Sequence, residues 1–283
     1  ISQNRTYQDL LKNPVDEVNF EVLMTSELHI VHLDGHSKLW KEAGMYLDQT
    51  YSPDGRFVLL TTLSKPFSYV VPYYSFPNET DIYSADGEFL LSFSKQPLLD
   101  NLPVGFMATY EGKRSIHWRA DKPSTLAWIE ALDKGDPAVE VDYRDELFQV
   151  DAPFTGTSTS LVKTTHRLSG ITWGNDTYAV VQDRWWNTRN TKTYLINPSD
   201  NSQSPSILSD RNYQDLYSNP GTLQTKKNEY GQNTLLIDGH KAYLFGDGFT
   251  AEGQFPFIDE LDLRTLQKQR IYQSTATNQL EEL

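Results

Sequence analysis

Apolar and polar residues alternate at a period of two through most of the chain, the spacing of strands with one buried face. The clearest stretch runs from Leu168 to Ile196. Ile171 and Trp173, then Tyr178 to Val181, carry the strand pattern, and Gly174-Asn175-Asp176 between them is turn chemistry that permits positive φ. This predicts a hairpin. Its second strand continues into Arg184-Trp185-Trp186-Asn187-Thr188-Arg189, and a β-branched third strand, Thr191 to Ile196, closes on Asn197-Pro198. The predicted unit is a meander with one unusual loop.

The same grammar recurs upstream. Tyr51-Ser52-Pro53-Asp54-Gly55-Arg56 leads into Phe57 to Leu60, and Trp118-Arg119-Ala120-Asp121-Lys122-Pro123 leads into Thr125 to Ile129. Placing Tyr51, Trp118 and Trp173 in one register gives spacings of about 67 and 55 residues, and Leu236-Ile237-Asp238-Gly239 continues the series about 63 later. Common propeller repeats run at roughly 40–50 residues, so these units carry insertions. A second repeat relates Arg5 to Pro14 with Arg211 to Pro220, and in each copy a short helical turn is expected to stop before the proline.

Taken in order, the pattern predicts a short helix over Tyr7 to Lys12, a hairpin over Glu27 to Trp40 about Asp34-Gly35, and a second hairpin over Tyr46 to Leu63. Strands follow at Asp81 to Tyr83, Glu88 to Phe93, Arg114 to Trp118, Thr125 to Ala131, Phe148 to Pro153 and Ser158 to Thr164. After the Leu168 to Ile196 unit, Gln232 to Ile237 and Lys241 to Phe245 are expected to start the last sheet, Phe257 to Leu263 and Gln269 to Ser274 to finish it, and Thr275 to Leu283 to trail off. The expected fold is all-β: a partial β-propeller of about four to five blades, each an antiparallel four-stranded sheet, with short helical insertions, in one domain over residues 1–283.

Composition narrows the function. Aromatics at 12% with only 38% hydrophobic residues suit short half-buried strands over long buried helices. A formal charge of −13 argues against nucleic acid or an anionic membrane as partner, because such affinity comes largely from Lys and Arg. The absence of cysteine removes disulfides, thiolate metal sites and cysteine nucleophiles together. The longest uncharged stretch in the strand-rich region, Pro66 to Asn78, is broken by prolines and tyrosines and cannot span a bilayer. Ile1 opens a polar run without a signal-peptide pattern, so the chain is expected to be an excised piece of a longer protein. Three glycosylation sequons begin at Asn4, Asn78 and Asn175, a number expected by chance in so polar a chain.

No Gly-x-Ser-x-Gly elbow occurs, and no catalytic residue is assigned. His29, His32 and His36 are close in sequence, but at strand period His29 and His32 point to opposite faces, so no metal or cofactor is expected. The acidic run Asp133 to Glu146, broken by Gly135 and Pro137, lacks calcium-loop spacing and reads as a wet loop. The sharpest signal is the loop from Arg184 to Arg189, where two arginines beside aromatic faces can hold a carboxylate bidentately. Two readings of it stay open: Trp185 and Trp186 wall a binding site, or they pack between blades with the arginines stacked on them. Lys65-Pro66-Phe67-Ser68-Tyr69 follows the equivalent strand two blades earlier and is expected to open on the same face, with aromatic packing under a long insertion as its other reading.

Together with His117 to Pro123, Trp128 to Pro137, Asp151 to Phe154 and Gly170 to Gly174, these motifs resemble the propeller part of prolyl oligopeptidase family serine peptidases, most nearly the glutamyl endopeptidase branch. The resemblance covers nearly the whole chain. It implies a propeller capping an α/β-hydrolase domain that bears the Ser, Asp and His triad and lies C-terminal to this chain. It also implies bacterial export, with periplasmic residence, and peptide substrates. By analogy with related dipeptidyl peptidases, Arg184, Arg189 and Lys65 would hold an acidic side chain or a peptide terminus, with Trp185, Trp186, Phe67 and Tyr69 as walls.

The competing class is a stand-alone propeller that binds a protein or glycan through its loops, since fold does not fix function. A propeller glycosidase would need two carboxylates facing each other at about 5–10 Å, and no such pair stands out. A partial propeller also leaves strand edges open, through which self-association is expected.

Overall fold

The turn residues cut the chain into strands short enough to stack as a series of small sheets. In the computed structural model, residues 7–275 and 281–283 are described. The Asn4-Arg5-Thr6 sequon, the first two residues of the Arg5 to Pro14 repeat and most of the expected C-terminal trail lie outside them. Among the described residues, twenty-one strands form four successive meanders and two small ribbons. The first sheet contains β1 (Thr25–Val31), β2 (Ser37–Tyr51), β3 (Phe57–Leu63), β4 (Asn78–Ser84) and β5 (Phe89–Gln96) in chain order. Strand β2 is long enough to serve twice: its first half pairs with β1, and Tyr46 to Tyr51 pair with β3. The expected partial blade is therefore an extension of the first sheet.

The second sheet is β6 (Arg114–Trp118), β7 (Thr125–Ala131), β8 (Asp145–Asp151) and β9 (Thr159–Thr164). The third is β10 (Arg167–Trp173), β11 (Ala179–Trp185), β12 (Asn190–Ile196) and β13 (Ser206–Asn212). In the fourth, β14 (Thr222–Leu223) is joined by β17 (Lys241–Gly246), β20 (Phe257–Asp262) and β21 (Lys268–Gln273). The ribbons are β15 (Thr225–Lys227) with β16 (Asn233–Leu235), and β18 (Phe249–Thr250) with β19 (Gly253–Gln254).

The sheets stack face to face. Leu59, Ile82 and Phe93 of the first sheet meet Trp118, Leu126, Trp128 and Val150 of the second. Alternation then decides the next seam: Ala127 and Ile129 point the other way along β7 and meet Ala179, Val181, Tyr194 and Ile196 of the third sheet. Val180 and Leu195, on the opposite face of that sheet, meet Ala242, Leu244 and Leu261 of the fourth. Consecutive four-stranded meanders packed in series through both faces are the blades of a β-propeller. No buried cluster among the described residues joins the fourth sheet to the first.

Two local expectations are corrected. No helix spans Tyr7 to Lys12; α1 runs from Pro14 to Met24, with Asn13 as N-cap accepting from the amides of Val15 (2.9 Å) and Asp16 (3.1 Å). Proline opens this helix because the first turn does not use its missing N–H. The second copy of that repeat holds turns, not helix. In the fourth sheet, the first strand is Thr222–Leu223, and Gln232 to Ile237 belong chiefly to the inserted β15–β16 ribbon and the turn after it.

Candidate functional site

From Val181 onward strand β11 alternates, and its two faces have different fates. Val181, Asp183 and Trp185 are buried, whereas Gln182 and Arg184 are exposed. Asp183 is fully enclosed, and its carboxylate accepts from the amides of His166 and Lys192 (both 3.0 Å) and the Tyr194 hydroxyl (2.8 Å). These bonds replace the water it has lost. They pin the end of β11 from which the arginine loop departs.

In that loop the two indoles part company. Trp185, 8% exposed, is held against the His166 ring at 6.0 Å and the Arg144 guanidinium at 4.1 Å. Trp186 is 41% exposed and touches Phe106, ring centroids 5.1 Å apart. Arg189 has φ 57°, a left-handed conformation that returns its side chain over Trp186 at 3.8 Å. It donates to the Trp186 carbonyl (2.7 Å) and the Tyr213 hydroxyl (3.4 Å), while Arg184 lies over the Tyr213 ring at 4.3 Å. Desolvation pushes the Tyr213 phenol up, but hydrogen bonds from Arg189 and Arg184 outweigh it and its pKa is lowered. Neither arginine has a carboxylate within ion-pair distance among the described residues. The structure thus gathers Arg184, Arg189 and Trp186 about Tyr213 and turns Trp185 inward.

The other predicted loop is occupied by α1. Lys65 pairs with Glu21 at 2.7 Å, Phe67 sits edge-on to Phe20 at 5.1 Å and against Phe76 at 5.3 Å, and Tyr69 hydrogen-bonds Glu17, which raises its pKa. Like the arginine loop, it follows the second strand of its blade, so both leave the same end of their sheets. No hydrogen bond, ion pair or ring contact connects the two loops among the described residues.

Sequence reasoning missed a buried ionic cluster at that same end. Arg167 donates to Asp133 (2.8 Å), Asp145 (2.9 Å) and the carbonyls of Met107 (2.9 Å) and Arg144 (3.0 Å). Arg144 completes Asp133 at 2.7 Å, and Arg114 pairs with Asp145. Both carboxylates are almost wholly enclosed, so the Asp133 to Glu146 segment is wet only in its middle. Gly135 (φ +74°) makes this tight approach feasible, because a Cβ there would stand 2.0 Å from the Thr109 carbonyl oxygen. Among the described residues no group of three or more His, Asp and Glu is placed to hold a metal ion. No helix among them is long and apolar enough to cross a membrane.

A cavity of about 590 Å³ opens between the third and fourth sheets and includes Arg184, Arg211, Tyr213 and Lys268 in its wall. With cationic and aromatic groups gathered at one end of the blades, the arrangement suits an anionic group on a peptide or small molecule.

No family model matches the chain. Over 287 residues it is 35% identical to a protein of Oryza sativa subsp. japonica named probable glutamyl endopeptidase, chloroplastic, with 97% of this chain and 30% of that protein covered. This chain is similar to one stretch of such a protein. The Arabidopsis thaliana protein of the same name is 36% identical over 282 residues, with coverages of 97% and 29%. The chain spans about 30% of the length of these relatives. Among solved structures, an oligogalacturonate lyase in complex with manganese overlays at a TM-score of 0.45 and 14% identity, covering 90% of this chain and 62% of that one.

Proposed function

We propose that this chain is the non-catalytic propeller part of a serine-type peptidase of the prolyl oligopeptidase family, capping an α/β-hydrolase domain C-terminal to it and helping to admit and hold peptides. The observation that carries this reading is the alignment of 97% of the chain, at 35% identity, with a probable glutamyl endopeptidase. In it, Arg184 and Arg189 face acidic side chains, and Trp186 forms the exposed wall. Trp185 positions the loop from behind, and Phe67 and Tyr69 stand with Lys65, which reaches substrate only on leaving Glu21. Exported, periplasmic residence in a bacterium belongs to the same reading.

The test uses the full-length parent. It should cleave peptides after Glu, and changing Arg184 and Arg189 to Ala should lower kcat/KM for Glu substrates while sparing neutral ones. Each lost charged hydrogen bond is worth about 1.5–3 kcal/mol, or roughly 10- to 150-fold. Equal losses on all peptides would refute the role of the arginines. A parent chain without a Ser, Asp and His triad would leave a stand-alone binding scaffold.

A further inference from the structure

The first two seams between sheets are filled by apolar residues from both sides. The third is filled at one end only, by Val180 and Leu195 against Leu244 and Leu261. Beyond that end the face of the third sheet turns polar and the seam opens into the cavity of about 590 Å³. Register explains how. Arg184 stands opposite Thr191, which stands opposite Arg211, and the row nearer the apolar end is Gln182, Thr193 and Ser209. Directly opposed residues of antiparallel strands share a face, so both rows look across the seam. The fourth sheet answers with Lys268 and the side chains of Leu244 and Leu261, and Leu223 and Leu266 complete that wall.

Three cations and no carboxylate line this space, in a chain with 38 acidic residues against 25 basic ones. Arg211 donates to the carbonyls of Asn212 (3.2 Å) and Asp215 (2.9 Å), and Arg184 lies over Tyr213; among the described residues none of the three cations forms an ion pair. Like charges brought into one partly desolvated cleft repel, and an anion is the occupant that offsets this. A guanidinium fork favours a carboxylate, the volume falls in the range of small-molecule and short-peptide sites, and the leucines suit an aliphatic segment.

We infer that the seam between the third and fourth sheets binds an acidic ligand, its carboxylate held by Arg184, Arg211 and Lys268 and its aliphatic part laid on Leu223, Leu244 and Leu266. The site shares Arg184 with the peptidase reading but does not depend on it. Arg211 and Lys268 lie outside the arginine loop, and binding is read without hydrolysis.

The carboxylate could belong to a free acid or to an acidic side chain, and the probes separate these. Glutarate and the acetylated, amidated tripeptide Ala-Glu-Ala are titrated calorimetrically into the protein, with glutaramide and the Ala-Gln-Ala counterpart as neutral comparators. At least one acid should bind saturably and at least tenfold more tightly than its neutral comparator, and which one binds identifies the source. Changing Arg211 and Lys268 together to Gln should weaken it tenfold or more, whereas Lys38→Gln, at an exposed position on β2, should not. Should Arg211→Gln disturb the turn it holds, Lys268→Glu alone decides, because that side chain is exposed on an outer strand and a carboxylate there should abolish binding. Absence of saturable binding by either acid, equal binding of the neutral comparator, or unchanged affinity in Lys268→Glu would overturn the inference.

Discussion

The carboxylate of Asp54 accepts from the hydroxyls of Ser52 (2.7 Å) and Ser124 (2.7 Å) and pairs with Arg56 (2.6 Å), so one side chain ties a turn of the first sheet to a turn of the second. The Asp54 amide adds a bond to the Pro123 carbonyl at 3.1 Å. Desolvation pushes the Asp54 carboxyl up, but the hydrogen bonds from Ser124, Ser52 and Arg56 outweigh it and lower its pKa from 3.8 to about 2. A carboxylate with a depressed pKa stabilises the fold fully above its unfolded value and loses that contribution as pH falls through its folded one. The contribution should be on the order of 1–2 kcal/mol at neutral pH and fade between about pH 4 and pH 2. Urea unfolding of the protein and of Asp54→Asn over that range checks it: the gap between them should close as the pH drops, and a gap independent of pH would count against the assignment.

Between elements, the strongest polar tie is the cluster of Arg167, Asp133, Asp145, Arg144 and Arg114, which clamps the second and third sheets at the loop end. Removing one partner of a buried pair strands a charge without water, so Arg167→Ala should cost about 3–5 kcal/mol. Lys65→Ala, which breaks an exposed pair to α1, should cost about 0–1 kcal/mol. Urea midpoints measure both, and similar losses would mean that the cluster is not a clamp. The cluster escaped sequence reading because Arg114 and Arg167 lie 22 to 34 positions from the carboxylates they meet, beyond any local pattern. What was legible was periodic: Trp118 and Trp173 each end the first strand of their sheet, and Tyr51 ends β2, the strand that opens the four-stranded part of the first sheet. The register failed at Leu236 because the β15–β16 ribbon is inserted there, and it misplaced the first helix because proline can open a helix as well as end one. At the candidate site, the motif reads Arg184 and Arg189 as one loop, whereas the structure keeps Arg184 in β11 and only Arg189 in the turn beyond it, and which indole faces inward depends on the parity of β11, whose exposed face is set by the neighbouring sheets.

For the molecule as a whole, seams between sheets set which parts open first. The second and third sheets are covered on both faces, and β7 is buried at six of its seven positions. The fourth sheet is covered on one face through a seam that is half cavity, and every residue of its outer strand β21 is exposed. Local opening needs only the contacts of the part that opens, so amide exchange should grade along the series. Residues 126–131 and 146–150 should be slowest and 268–273 fastest, with β1 at the opposite edge also fast. Hydrogen exchange read by mass spectrometry checks this, and equal protection of β7 and β21 would mean that something covers the last sheet. The same measurement reaches the expected self-association, because an open outer strand presents unpaired backbone groups to a second chain. Protection of 268–273 that rises with protein concentration while that of 126–131 stays constant would place pairing at this edge; protection independent of concentration, in a protein that sediments as a monomer, would exclude it.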